Sequence, residues 1–61
     1  MKHNYTSSVR DAVKDFYLEN FGQTLTDEDV NNMDRHDVLD AYLSWEGIIG
    51  YTWLIESIME N

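Results

Sequence analysis

The sequence predicts a small all-α protein of three helices, and three observations lead to that prediction. Apolar residues recur at the three-to-four-residue spacing of a helix through most of the 61-residue chain. There is no proline, and glycine occurs only at positions 22, 47 and 50, which leaves too few turn residues for a sandwich or barrel of short strands. A chain of this length forms one domain at most, here residues 1–61.

The first helix is predicted over residues 7–21. Its apolar positions follow a helical period: Val9, Ala12, Val13, Phe16, Tyr17 and Phe21. Ser7 or Ser8 is expected to cap its start, and Gly22 is expected to end it in a left-handed conformation. The residues that precede it, His3 among them, are expected to be frayed.

The second helix is predicted over residues 26–33. Thr26, followed three residues later by Asp29, forms the pattern of a capping box. Leu25 before the cap and Val30 at the fourth helical position are the pair that forms a hydrophobic staple. These signals indicate a short helix with a well-defined beginning.

The third helix is predicted over residues 35–59, with Asp34 as its cap. Gly47 and Gly50 interrupt its apolar pattern, each at a cost of about 1 kcal/mol relative to alanine. Two helices that break near Gly47 are therefore the alternative. The continuous helix is favoured because no residue in this segment requires a turn.

The last predicted helix is apolar on most of its sides. Its main stripe, expected to pack on the first two helices, holds Val38, Ala41, Tyr42, Trp45, Ile48, Ile49, Thr52, Ile55 and Met59. Tyr51, Trp53, Leu54 and Ile58 point elsewhere, and a helix that is hydrophobic all round is normally buried all round. We therefore expect a homodimer through this helix. Its predicted apolar interface consists of Trp45, Ile48, Tyr51, Trp53, Leu54 and Ile58.

Two features of this segment have a second interpretation. Tyr51 and Trp53 are also compatible with ordinary, partly exposed surface aromatics, which are common in monomers. The G-x-x-G spacing of Gly47 and Gly50 permits close approach of a partner helix, and it permits close packing within one chain equally well.

Charge predicts the kind of partner. Twelve acidic residues against four basic ones give a formal net charge of −8, which repels nucleic acid and anionic membranes and favours a protein with a basic surface. The predicted acidic binding face consists of Asp11, Asp15, Glu19, Asp27, Glu28, Asp29, Asp34, Asp37 and Asp40. Carboxylates ~6 Å apart along a helix approximate the charge density of a nucleic-acid backbone. The alternative is a solvated face that only keeps the protein soluble.

Metal and cofactor chemistry are not expected. Asp27 to Val38 resembles a calcium loop, but Asn32 replaces the glycine of the sharp turn and Val38 replaces the bidentate glutamate. His36 and Asp40 are spaced as ligands on one helix face, yet two ligands do not make a site, and the chain has no cysteine. We predict no metal site and no cofactor.

Catalysis and membrane insertion are not expected either. The serines and threonines are explained as capping and turn residues, and a chain this small can hardly enclose a pocket of the usual size, so no catalytic residue is assigned. The polar start MKHNYTSS does not resemble a signal peptide, and the longest uncharged run, residues 47–55, is far short of the ~20 residues that span a bilayer. These features predict a soluble, cytoplasmic protein.

In size, charge and lack of cysteine the chain resembles the short acidic accessory proteins of bacteriophages and prophages. The similarity extends to a C-terminal stretch of the type DVLDAYLSWEGIIGYTWLIESIM. Many such proteins inhibit host defence systems, as anti-CRISPR and anti-restriction proteins do, often by blocking a nucleic-acid site. The resemblance thus implies a stoichiometric inhibitor in the bacterial host cytoplasm. The alternatives are an adaptor that docks its apolar last helix into a partner, and an antitoxin-like neutraliser of a basic toxin.

Overall fold

The computed structural model describes residues 2–50 and 52–61 and confirms the all-α prediction. In these residues the chain forms α1 (Ser7–Phe21), α2 (Asp27–Asn31), α3 (Arg35–Glu46) and α4 (Thr52–Ile58). The described residues contain no strand, and their one isolated β-bridge joins Tyr5 to Glu60. Four helices therefore replace the three that were predicted.

Helix α1 has the predicted bounds but a different cap. Thr6, in an extended conformation, accepts a hydrogen bond on its side chain from the backbone N–H of Val9, so neither of the two serines is the cap. At the other end Gly22 has a φ of 64°, and its N–H donates to the carbonyl of Leu18. This left-handed residue ends the helix as predicted.

Helix α2 begins as predicted and is shorter than predicted. Thr26 and Asp29 form both hydrogen bonds of the capping box. Val30 is buried in the core and Leu25 is half-buried against it. The helix ends at Asn31, two residues before the predicted end, so that it has only five residues.

The prediction of one helix over residues 35–59 is wrong. Helix α3 begins after Asp34, whose carboxylate caps it, and ends where Gly47 takes a φ of 68°. The N–H groups of Gly47 and Ile48 both donate to the carbonyl of Leu43, which closes the helix end. Gly50 has a φ of 80°, and a Cβ at either glycine would meet nothing within 4 Å. The glycines therefore adopt the left-handed conformation of turns, and neither packs closely against the described part of the chain.

The core lies mainly between α1 and α3, with α2 packed on α1. Its buried residues are Tyr5, Val9, Val13, Val30, Val38, Leu39, Ala41 and Met59. Met59 belongs to the predicted stripe and is fully buried, although it lies beyond the end of α4. Ile49, from the same stripe, is 94% exposed, because the break at Gly47 turns it away from the core.

The two ends of the chain are bound to each other, so the prediction of a frayed N-terminus is wrong. The N–H of Thr6 donates to the carbonyl of Met59 at 2.8 Å, and the N–H of Asn61 donates to the carbonyl of Asn4 at 2.9 Å. The N–H of His3 donates to the carbonyl of the last residue of α2 at 2.7 Å. This pairing fixes the segment before α1 between α2 and the C-terminus.

Tyr5 is the anchor of that segment. Its side chain is fully buried, and its hydroxyl donates to the carbonyl of Met33 at 3.0 Å. Its backbone N–H donates to the side-chain oxygen of Asn31. Burial raises the pKa of Tyr5 to about 12, and the carboxylates of Glu60 and Asp34 add to the effect. A tyrosine that the periodicity of the helices does not include is thus part of the core.

Candidate interaction surfaces

The acidic residues divide into those with a structural partner and those without one. Asp27, at the start of α2, lies 2.7 Å from the Lys14 ammonium and 3.4 Å from Nε of Arg10. The hydrogen bond from Lys14 lowers the pKa of Asp27, and the same bond raises the pKa of Lys14. Asp27 therefore joins α1 to α2.

The other three predicted acids of the α2 and pre-α3 segments are also engaged. Both carboxylate oxygens of Glu28 lie 3.1 Å from the ammonium of Lys2. Asp29 and Asp34 accept backbone hydrogen bonds as helix caps. Because these carboxylates hold the fold, their presence in the sequence does not by itself indicate a binding face.

Glu60 is the centre of a charged cluster that was not predicted from the sequence. Its Oε1 lies 3.0 Å from Nδ1 of His3, and its Oε2 lies 3.3 Å from the guanidinium of Arg35. Arg35 also donates to the backbone carbonyl of Glu56 in α4. The cluster ties both chain ends to α3. No local sequence signal indicates it, since Glu60 and His3 are 57 positions apart.

The remaining predicted acids are exposed and lie on outward faces of the two long helices. They are Asp11, Asp15 and Glu19 on α1, and Asp37 and Asp40 on α3. Among the described residues only Asp11 has a cationic group within 4 Å, the Lys14 ammonium at 3.6 Å. All four basic side chains of the protein pair with the α2 acids, with Asp11 or with Glu60.

These five carboxylates form two surfaces. Helices α1 and α3 pack through the sides that carry Val13 and Val38, so their opposite sides face away from the shared core. We call the exposed carboxylates of α1 the α1 ridge: Asp11, Asp15 and Glu19. At four-residue intervals they span ~12 Å along the helix. The single acidic face that the sequence predicted is therefore reduced to this ridge and a separate pair on α3.

Among residues 2–50 and 52–61, apolar side chains are exposed at two places. At the end of α1, the ring of Phe21 packs against Phe16 and Tyr17, at centroid distances of 6.0 and 5.3 Å, yet it remains 65% exposed. Leu18 is also exposed, beside Asp15 on the outward face of α1, and was not predicted as a surface contact. Leu18 is out of phase with the apolar stripe of its helix, and this position in the sequence indicates that its side chain is exposed.

The larger apolar exposure is in and before α4. Of the predicted interface residues, Trp53, Leu54 and Ile58 are exposed, Trp45 is 39% exposed and Ile48 is half-buried. Tyr51 lies outside the described residues. We call the following four residues the α4 patch: Ile49, Trp53, Leu54 and Ile58.

Residues 2–50 and 52–61 enclose no pocket and contain no group of three or more side chains that could hold a metal ion. Within the same ranges no helix has the length and apolar character to cross a membrane. The surfaces described above are therefore the candidate sites.

Comparisons of the chain with protein-family models, with curated proteins and with solved structures give no match.

Proposed function

We propose that this protein is a non-catalytic, acidic protein-binding module that inhibits a nucleic-acid-handling or defence enzyme of a bacterial host by occupying its basic groove. The α1 ridge is the contact surface in this proposal. The observation that carries it is that Asp15 and Glu19 are exposed and have no cationic partner within 4 Å among the described residues.

The distribution of the cations supports the same idea. A surface that only maintains solubility normally has both signs of charge interspersed. Here Lys2, Arg10 and Arg35 pair with acids elsewhere in the molecule, and only Lys14 reaches the edge of the α1 ridge. The ridge thus keeps a field of one sign, which steers association with a basic surface and makes the complex sensitive to salt.

The resemblance to phage accessory proteins suggests the class of target. A phage-encoded protein meets nucleases, helicases and CRISPR effectors in the host cytoplasm, and these enzymes bind nucleic acid through positively charged channels. A ridge of carboxylates at helical spacing is suited to such a channel, and binding there would exclude the nucleic acid.

The experiment is affinity capture from a bacterial lysate on the immobilised protein, at low and high salt and with competing DNA. We expect the captured protein to bind nucleic acid and to be released by ~0.5 M NaCl and by excess DNA. Salt would screen the contact between the acidic protein and the basic groove, and DNA would compete for the same groove. A captured protein that stays bound through both treatments would overturn the proposal.

Two double variants then test the ridge itself. Asp15→Lys with Glu19→Lys reverses two ridge charges, while Asp40→Lys with Glu46→Lys reverses two exposed charges of α3. Both change the net charge by the same amount, so an effect of overall charge weakens capture equally in both. The proposal requires loss of capture and inhibition in the α1 variant and near wild-type behaviour in the α3 variant, with both folded by circular dichroism.

A further inference from the structure

Helix α4 presents its apolar side to solvent. Leu54 and Ile58 are one turn apart on its outward face, and Trp53 is adjacent, 69% exposed. The carboxylate-bearing residue of the helix, Glu56, is half-buried, as is Ile55. A helix at the surface of a monomer normally has the reverse arrangement, with apolar residues inward and charge outward.

The α4 patch has the area of an interface. Ile49 is 94% exposed and lies four residues before Trp53, hence within ~15 Å of it along the chain. From the exposed fractions of its four side chains, the patch presents roughly 500 Å² of apolar surface. Two such patches face to face would bury at most ~1,000 Å² in total, which is near the lower limit for a specific protein–protein interface.

Charge indicates which occupant fits the patch. The exposed residues of α4 are Thr52, Trp53, Leu54, Ser57 and Ile58, and none of them is charged. Of the carboxylates nearest to α4 in sequence, Glu56 is half-buried and Glu60 is held by His3 and Arg35. Glu46, three residues before Ile49, is exposed at the end of α3. A basic partner would find no acidic rim on α4 to match its charge. A second copy of the chain presents the same uncharged, apolar face of α4.

We propose that the α4 patch is a self-association surface that pairs two copies of this chain about a twofold axis, with Leu54 and Ile58 near the axis. The interface is isologous, because the same residues are contributed by both copies. An interface at the low end of the known areas is expected to be weak and transient. This pairing does not depend on the function proposed for the α1 ridge.

Salt distinguishes self-association from binding to a basic partner. Two copies with a charge of −8 each repel one another, and the Debye length falls from ~10 Å at 0.1 M salt to ~3 Å at 1 M. Self-association through a neutral patch should therefore strengthen as salt is added. Contact with a basic surface would weaken under the same change.

The test is sedimentation equilibrium from ~1 µM to ~1 mM protein, at low and high salt, a range that covers weak and transient dimers. The expected mass rises with protein concentration from 7.2 kDa toward twice that value. In high salt this rise should begin at a lower protein concentration. A mass that stays at 7.2 kDa throughout both series would overturn the proposal. So would association that salt weakens, which would indicate a charged contact.

Leu54→Glu and Leu18→Glu are a matched pair, because the two leucines are 47% and 53% exposed and the substitution is the same. Leu54→Glu should weaken dimerisation by about tenfold or more, and Leu18→Glu should leave it unchanged. Equal behaviour of the two variants would contradict the assignment.

If Leu54→Glu does not fold, single cysteines are used instead, since the chain has no native cysteine. Leu54→Cys should then give a disulfide-linked dimer on oxidation, and Leu18→Cys should give much less; similar yields would refute the twofold contact.

Discussion

Replacing Tyr5 by phenylalanine removes one hydroxyl group from the core and tests whether the N-terminal segment is part of the fold. The hydroxyl donates to the carbonyl of Met33 at 3.0 Å, and the side chain is fully buried. The variant loses this hydrogen bond and leaves the carbonyl without its partner, a cost of about 1–1.5 kcal/mol. In a domain of this size that corresponds to a decrease in Tm of roughly 5–10 °C.

The assay is thermal and urea unfolding followed by circular dichroism, with Tyr42→Phe as the control. Tyr42 is half-buried, and its hydroxyl has no hydrogen-bond partner in the part of the chain that the structure describes. Its replacement should change stability by less than about 0.5 kcal/mol. Equal Tm values for wild type and Tyr5→Phe, or equal losses in the two variants, would refute the role of Tyr5 as an anchor.

The pH dependence of the free energy of unfolding, compared between wild type and Tyr5→Phe, provides a second, independent result. The pKa of Tyr5 is about 12 in the folded protein, against 10.0 for an ordinary tyrosine, because burial disfavours the tyrosinate. The unfolded chain therefore releases this proton first, so the stability that Tyr5 contributes is fully present below pH 10 and is lost as pH rises toward 12. The loss reaches about 1.4 kcal/mol near pH 11 and roughly 2–3 kcal/mol at pH 12.

Tyr5→Phe does not undergo this loss. The wild type should be the more stable protein at pH 7, and the difference should shrink as the pH rises above 10. Urea unfolding of both proteins at pH 7, 9 and 11 measures the difference in their free energies of unfolding. The other tyrosines and the lysines titrate in both proteins, so their contribution cancels in this difference. A constant difference across this range would show that the phenol is not buried in the folded state.

Three further substitutions test local features of the fold. Thr26→Ala removes the capping box with Asp29 and should cost about 1 kcal/mol in urea unfolding, whereas Thr24→Ala, outside any helix, should cost much less. Gly47→Ala places a side chain at a φ of 68° and should destabilise by about 1–2 kcal/mol, even though the space beside it is open; a neutral result would mean that the turn is not left-handed. Asp27→Asn removes the partner of Lys14 and should lower Tm slightly at low salt and less at high salt. The pKa of Asp27 is lowered in the folded protein, so the stability that Asp27 contributes is present at neutral pH and disappears on acidification.

The features that the sequence predicted correctly depend on neighbouring residues. Helix α1 has a regular apolar period and a glycine after its last turn, and both act within a few residues. The capping box of α2 is likewise complete within four residues, Thr26 to Asp29. The cap of α3 by Asp34 follows the same rule. Local hydrogen bonding determines these elements, so a single sequence is sufficient to locate them.

The break at Gly47 was not predicted because periodicity does not report the sign of φ. The apolar spacing continues through Gly47, and a glycine in a helix costs only about 1 kcal/mol, so a continuous helix was the simpler interpretation. Glycine is also the residue that most easily adopts the left-handed conformation, and the structure uses it in that way at both Gly47 and Gly50. With the turns at these two glycines, the chain after α4 brings Met59 into the core.

The candidate site was predicted only in part, and charge pairing explains the difference. Exposure of the α1 ridge follows from the helical period and was predicted. The pairing of Asp27 with Lys14 and of Glu28 with Lys2 joins residues 13 and 26 positions apart, which no local pattern indicates. A carboxylate counted from the sequence as part of a binding face can therefore belong to the fold, as it does in α2.

The exposure of the α4 patch follows from the way the chain ends are joined. Thr6 and Asn4 bind the backbone on either side of Glu60, and Met59 enters the core, so the C-terminal end of α4 is fixed by contacts outside the patch. Arg35 fixes the helix further by donating to the carbonyl of Glu56. With these contacts in place, the opposite side of α4 must face outward, whatever residues it carries. This side carries Trp53, Leu54 and Ile58, which remain 47–69% exposed in the single chain. Substitutions at their exposed parts should therefore weaken association more than they lower Tm.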